Sequence, residues 1–108
     1  MIQNKALSML GIATKAGKVV TGEFSTEKAI KTGKAYLVIV AGDASDNTKK
    51  KFRNMCDYYH VTIKEFADKY SLGTACGKDF RASLAITDDG LSKAVIKQMD
   101  SCDKLEVQ

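Results

Sequence analysis

The run Tyr36-Leu37-Val38-Ile39-Val40-Ala41 limits the fold more than any other part of this chain. A strand with one face in water alternates apolar and polar residues, and this one does not. Continuous apolar sequence rich in β-branched residues fits a strand covered on both faces, which requires helices above and below its sheet. With Ala35 it is the longest apolar stretch in the chain, and it is far too short to span a bilayer.

The flanking sequence supplies the covering helices. Ile2, Ala6, Leu10 and Ala13 recur near helical spacing and predict a helix over residues 2–15, ended by Gly17. Val19-Val20 forms a short strand. Gly22 opens a second helix that runs to about Thr32 and is closed by Gly33. After the central strand, Ser45 or Asp46 caps a third helix. Its Phe52, Met55, Cys56 and Tyr59 fall at i, i+3, i+4 and i+7 and so share an apolar face. His60–Glu65 reads as a short strand with Val61 and Ile63 on one side. Asp68 caps a brief helix through Leu72 to Cys76, and Ala82–Thr87 is another strand. Asp88 or Asp89 caps the last helix, whose Leu91, Val95, Met99 and Cys102 share a face. The resulting order, α, short β, α, β, α, β, α, β, α, argues for the α/β class with a sheet between helices. At 108 residues the chain fits one domain, expected over 1–103, with a frayed tail at 104–108.

Charge is distributed unevenly. The whole chain carries +4, of which residues 1–34 hold a local +4, residues 35–57 add +1 and residues 58–108 contribute −1. Such lopsidedness marks a binding face for polyanions more often than a uniformly solubilised surface. Cys56, Cys76 and Cys102 are odd in number, far apart and without a Cys-x-x-Cys pair, which fits reduced, packed thiols in a cytoplasmic protein. No segment resembles a signal peptide.

Candidate catalytic and metal motifs fail on their own requirements. Gly11 and Gly17 have five residues between them and Val19 follows Lys18, whereas a P-loop needs four residues and then Ser or Thr after its lysine. Cys56, Asp57 and His60 offer three ligands but no second cluster to complete a zinc site, and Cys56 already lies on the apolar stripe. His60 is the only histidine and is expected at a strand edge, so a Ser/His/Asp arrangement is hard to assemble. Asp88-Asp89 reads as a helix cap. The expectation is a non-enzymatic protein with no cofactor, no metal and no small-molecule substrate.

The basic elements fit another chemistry. Gly22 lets the chain turn into a helix whose first N–H groups are unpaired and electropositive, a favourable seat for phosphate. Lys28 and Lys31 project from one face of that helix, either toward phosphates and purine edges or as part of a solvated surface. Gly77-Lys78-Asp79-Phe80-Arg81 places an aromatic residue among charged ones. In a loop, Phe80 can stack on an unpaired base while Lys78 and Arg81 reach phosphates, or it can fold back into the core.

Two separated stretches carry a family resemblance. Gly22–Ala35 with Leu37–Ala41, and Leu72-Gly73-Thr74-Ala75-Cys76-Gly77 with the strand Ala82–Ile86, resemble the kink-turn-binding ribosomal protein superfamily, which includes archaeal L-seven-Ae and eukaryotic L-thirty-e. Gly42–Thr48 and Cys56-Asp57-Tyr58-Tyr59 are most similar to its bacterial YlxQ-type branch of RNA-binding proteins. The pattern spans roughly residues 5–100. The resemblance implies a three-layer α/β/α sandwich with a mixed, mostly four-stranded central sheet. It also implies binding of structured, kink-turn-like RNA, ribosomal or otherwise tied to translation. The site it implies comprises Gly22, Glu23, Phe24, Ser25, Thr26 and Lys28 with Lys78, Asp79, Phe80 and Arg81, and the charge reading adds Lys18 and Lys31 as further phosphate contacts. In this picture the helix opened by Gly22 enters the RNA groove beside tandem sheared G·A pairs, and the 78–81 loop packs against a flipped-out nucleotide. Phe24 and Ser25 stand where the family carries the Asn and Glu that read guanine edges. A protein-interaction module on the same fold is the alternative, with Phe24 as an apolar contact. A small RNA-modifying enzyme is a third reading, and it lacks a catalytic constellation.

Overall fold

Each helix begins where a polar side chain can satisfy its first N–H groups, or where a glycine leaves them free. The computed structural model describes residues 4–107, with side chains described from residue 4 to residue 100. Helix α1 spans Lys5–Lys15, and the Asn4 amide oxygen accepts hydrogen bonds from the Ala6 and Leu7 N–H groups at 2.9 and 3.2 Å. The sequence pattern predicts a start at residue 2. Asn4 is instead extended and caps the helix, while residues 2 and 3 lie outside the described residues. Strand β1 (Val19–Thr21) and helix α2 (Glu23–Lys31) follow, then β2 (Leu37–Val40). Ser45 caps α3 (Asp46–Tyr59), and β3 is Thr62–Glu65. Asp68 caps α4 (Lys69–Ala75), whose first turn is tied down further where the Lys69 N–H donates to Asp43 Oδ1 at 2.9 Å. Strand β4 is Ser83–Ile86, and the Asp88 carboxylate caps α5 (Asp89–Val107), accepting from the Leu91 N–H at 2.8 Å. The expected tail at 104–108 and Cys102 lie outside the residues whose side chains are described.

The four strands form one mixed sheet in the order β1-β4-β2-β3, with β2 and β3 parallel and the other two pairings antiparallel. Helices α2 and α3 cover one face, and α1, α4 and α5 the other. This is the three-layer α/β/α sandwich. All four residues of β2 and all four of β4 are buried, as continuous burial on both faces requires. Removing a side chain such as Leu37 or Ile39 from water contributes about 1.5–3 kcal/mol. Phe52 and Cys56 of α3 and Ile30 of α2 pack one side of the core, and Leu10, Leu72, Val95 and Met99 the other. Burial pushes the Cys56 thiol up to about 11 and also raises Cys76, so both stay protonated near neutral pH. The outer strand β3 carries Lys64 and Glu65, charged residues that discourage edge-to-edge pairing.

His60 departs from its expected place at a strand edge. It is exposed and caps the C-terminus of α3 in the left-handed region (φ 59°, ψ 45°), and the Val61 N–H closes the turn onto the Cys56 carbonyl at 2.9 Å. A side chain there costs about 1–2 kcal/mol relative to the right-handed region, and glycine is the usual occupant. His60→Gly is therefore expected to raise stability by about 1 kcal/mol in urea denaturation. A decrease would mean the imidazole contributes something beyond capping.

Candidate nucleic-acid interface

Strands β1 and β2 run the same way and β4 runs against them, so the C-terminal ends of β1 and β2 meet the N-terminal end of β4 at one pole of the sheet. Thr21-Gly22, the Gly42–Ser45 turn and the 76–82 loop all lie there. Gly22 has φ 93° and ψ 161°, a combination open essentially to glycine alone. That conformation aims its N–H at the Ser83 carbonyl (2.9 Å) while the chain turns into α2. No side chain caps α2, so the positive end of the helix faces outward.

The 78–81 loop is built against the same junction. The Lys78 N–H donates to the Gly73 carbonyl at 2.7 Å, and the Arg81 N–H to the Lys69 carbonyl at 3.0 Å. Arg81 then links loop and helix tip: its Nε donates to Thr21 Oγ1 at 3.2 Å and its Nη1 to the Phe80 carbonyl at 2.7 Å. Gly73 is buried directly beneath. A Cβ there would overlap the Asp79 carbonyl oxygen and stand 2.5 Å from its carbonyl carbon and 3.2 Å from Phe80 Cα. The loop sits where it does because residue 73 has no side chain.

Phe80 does not fold back into the core. It is 62% exposed, and Phe24, on the first turn of α2, is 77% exposed. Lys28, Lys78 and Asp79 are exposed and Ser25 is half-buried, all on or beside this pole. Among the described residues, Lys28, Lys78 and Arg81 have no acidic partner within 4 Å. Phe24, Lys28, Lys31 and Thr32 line a shallow concavity with Glu27 along α2.

Three expected site residues are placed differently from the rest. Lys18 precedes β1 and its carbonyl accepts from the Thr87 N–H, at the opposite end of the sheet from Gly22. Three residues of extended chain lie between the two, a Cα-to-Cα span of about 13 Å. Thr26 is fully buried, so it serves the core and not the surface, and its hydroxyl has no hydrogen-bond partner among the described residues. Lys31 is exposed but paired with Glu27 at 3.7 Å.

Lys51 of α3 was not singled out by the sequence. Its ammonium bridges Glu23 (2.9 Å) and Glu27 (2.8 Å) on α2. The hydrogen bond from Lys51 holds the Glu27 carboxyl below its ordinary value, helped by the charge of Lys31, and the two carboxylates raise Lys51. The pair of acids on α2 is thus offset by a neighbouring helix, leaving the charge of Lys28 less opposed. Tyr70 is the second such residue: it is 63% exposed, with its ring centroid 5.9 Å from that of Phe80. Neither has a signal in the linear pattern, because each finds its partner only across the fold.

Fold and surface together define an α/β/α module with an exposed basic and aromatic pole. The model of the ribosomal protein L7Ae/L30e/S12e/Gadd45 family matches residues 4–96, and the chain belongs to that family. It is 40% identical over 92 residues to the RNA-binding protein YlxQ of Bacillus subtilis (strain 168), covering 85% of this chain and 92% of that one. It is also 40% identical over 107 residues to the large ribosomal subunit protein eL30 of Branchiostoma belcheri, covering 94% and 90%. A solved structure of a protein of unknown function from Bacillus halodurans superposes with a TM-score of 0.87 at 36% identity, covering 91% and 99%. The two relatives compared by sequence carry the names of an RNA-binding and a ribosomal protein, and a non-enzymatic reading of the chain accords with the family. Among the described residues no helix is long and apolar enough to cross a membrane.

Proposed function

We propose that this chain is a non-catalytic binder of structured RNA, of the sharply bent, kink-turn-like kind, working in the cytoplasm on ribosomal or other translation-associated RNA. One observation carries the reading. The Arg81–Thr21 and Gly22–Ser83 hydrogen bonds join the α2 tip and the 78–81 loop into one surface. On that surface the uncapped N–H groups of α2 and the ammonium of Lys28 face a phosphate or a purine edge. Lys78 and Arg81 flank the aromatic loop, where an unpaired nucleotide can pack. Phe24 and Ser25 replace polar readers of guanine, so recognition here rests on backbone shape and charge more than on base edges.

Gel-shift titration with a kink-turn RNA and a straight duplex of equal length tests this. The kink-turn RNA is expected to bind tighter. Log affinity should fall with log salt at a slope of about −2 to −3, as three neutralised phosphates require. Lys28→Ala should weaken binding roughly tenfold, at the low end of the range for a base-edge contact, while Lys97→Ala on α5 should not. Equal affinity for bent and straight RNA, with a flat salt dependence, would remove the proposal. It would favour a protein-interaction module, for which the exposed Phe24 ring is the supporting feature.

A further inference from the structure

Helices α1 and α2 end in the same way, at the pole of the sheet away from Gly22. Each closes on Lys-x-Gly-Lys, as Lys15-Ala16-Gly17-Lys18 in one and Lys31-Thr32-Gly33-Lys34 in the other. Both glycines stand at φ 74°, and the lysine after each donates its N–H five residues back. Lys18 bonds to the Ala13 carbonyl at 3.0 Å, and Lys34 to the Ala29 carbonyl at 2.9 Å. These turns close the helices, which accounts for the glycines. Lys15 and Lys31 are accounted for as well, because the last turn of a helix favours a cation, and Lys31 also pairs with Glu27. Lys18 and Lys34 are not. They lie beyond the caps and are exposed, and among the described residues neither has an acidic partner within 4 Å. Aromatic residues share this pole. The Thr87 N–H donates to the Lys18 carbonyl (2.8 Å) and the Tyr36 N–H to the Ile86 carbonyl (2.9 Å), so Lys18 and Tyr36 flank the end of β4. Two strand spacings separate their backbones, about 10 Å. Leu37 pairs with Thr62, three residues past Tyr59, which brings the end of α3 to the same rim. Tyr36 is 49% exposed, Tyr58 76% and Tyr59 40%, and the rings of the last two meet edge to face at 4.8 Å. Of the acids here, Asp88 caps α5 and Asp89 pairs with Lys93, which leaves Asp57 exposed.

We propose that this pole is a second RNA-binding face, which takes a single-stranded segment. Lys18 and Lys34 meet its phosphates, and the exposed rings of Tyr36 and Tyr58 stack on its bases. The choice of RNA as occupant rests on the reading above, but the face is separate from the α2 tip. It lies at the opposite end of the sheet, so one molecule holds two RNA segments at once. Lysines alone suit any polyanion. The exposed rings favour a nucleotide over an acidic peptide, because every base has a π-face to stack, whereas a carboxylate is repelled by the negative face of a ring.

The test is fluorescence anisotropy of a short labelled oligouridine, titrated with the protein alone and with the protein saturated by unlabelled kink-turn RNA. Oligouridine should still bind the saturated complex. Tyr58→Ala should weaken that binding at least about fivefold, and Tyr58→Phe, which keeps the ring, should bind like the parent. Replacing Lys18 and Lys34 together by alanine should flatten the salt slope for oligouridine by about 1.4, as two phosphates on a single strand require. Circular dichroism checks that these exposed substitutions leave the fold intact. Three results would each overturn the second face while leaving the RNA-binding reading in place: full oligouridine affinity in Tyr58→Ala, displacement of oligouridine by kink-turn RNA, or displacement by polyglutamate as readily as by unlabelled oligouridine. The last would mark the pole as a seat for an acidic protein. If kink-turn RNA fails to bind but the oligouridine losses appear as expected, the reading of the α2 tip falls and the second face stands.

Discussion

Gly73→Ala is expected to destabilise the protein by about 2–3 kcal/mol and to weaken RNA binding more than tenfold. The added methyl would overlap the Asp79 carbonyl oxygen and crowd the Asp79 carbonyl carbon and Phe80 Cα, all of them backbone that cannot rotate out of the way. The whole 78–81 loop has to lift. Lifting it strains the Lys78 N–H to Gly73 carbonyl bond and pulls Arg81 from Thr21, the link between loop and helix tip. Alanine is intrinsically better than glycine in a helix by about 1 kcal/mol, which offsets part of the cost and is already counted in the net figure. Urea denaturation and RNA titration of the same variant separate the two effects. A loss of stability under about 0.5 kcal/mol would show that the loop is not seated on Gly73 as described.

Gly22→Ala should cost about 2 kcal/mol for a different reason. A Cβ at residue 22 meets nothing within 4 Å, so crowding by neighbours is not the issue. The cost comes from the backbone, held at φ 93° and ψ 161°, where an L-residue is strained. The chain can relieve that strain by rotating residue 22, but its N–H then leaves the Ser83 carbonyl and α2 starts in another direction. Either way the variant is less stable or its helix tip is misdirected, and RNA affinity falls with it. Hydrogen exchange at the residue 22 amide reports which happens. Slow exchange with lowered stability means strain is retained, and fast exchange means the turn has rotated. Unchanged stability together with unchanged exchange would show that the glycine is dispensable.

Much of the scaffold is legible in the chain because it rests on local chemistry. Ser45 and Asp68 cap their helices as their side chains allow, and the run from Leu37 to Val40 is buried along its whole length. The candidate site was legible only in part. Residues 22–28 and 78–81 were recognisable as two stretches, and their contact through Arg81 and Thr21 spans sixty residues of sequence. Lys18 looked like a member of the site on charge, but β1 carries it to the far pole. Thr26 looked like a surface residue of the helix tip, but the face of α2 that carries it turns inward with Ala29 and Ile30.

Caps, strand burial and the need for helices on both sides of a sheet follow from neighbours within a few residues, so the amino-acid order alone decided them. Direction and proximity along the sheet do not. Whether β1 runs with or against β4, and therefore which lysines share a pole with Gly22, depends on strand pairing between distant segments. The same holds for Lys51 between Glu23 and Glu27 and for Tyr70 against Phe80. Side-chain chemistry is written residue by residue, but the distance at which two side chains act on each other is set only when the layers pack.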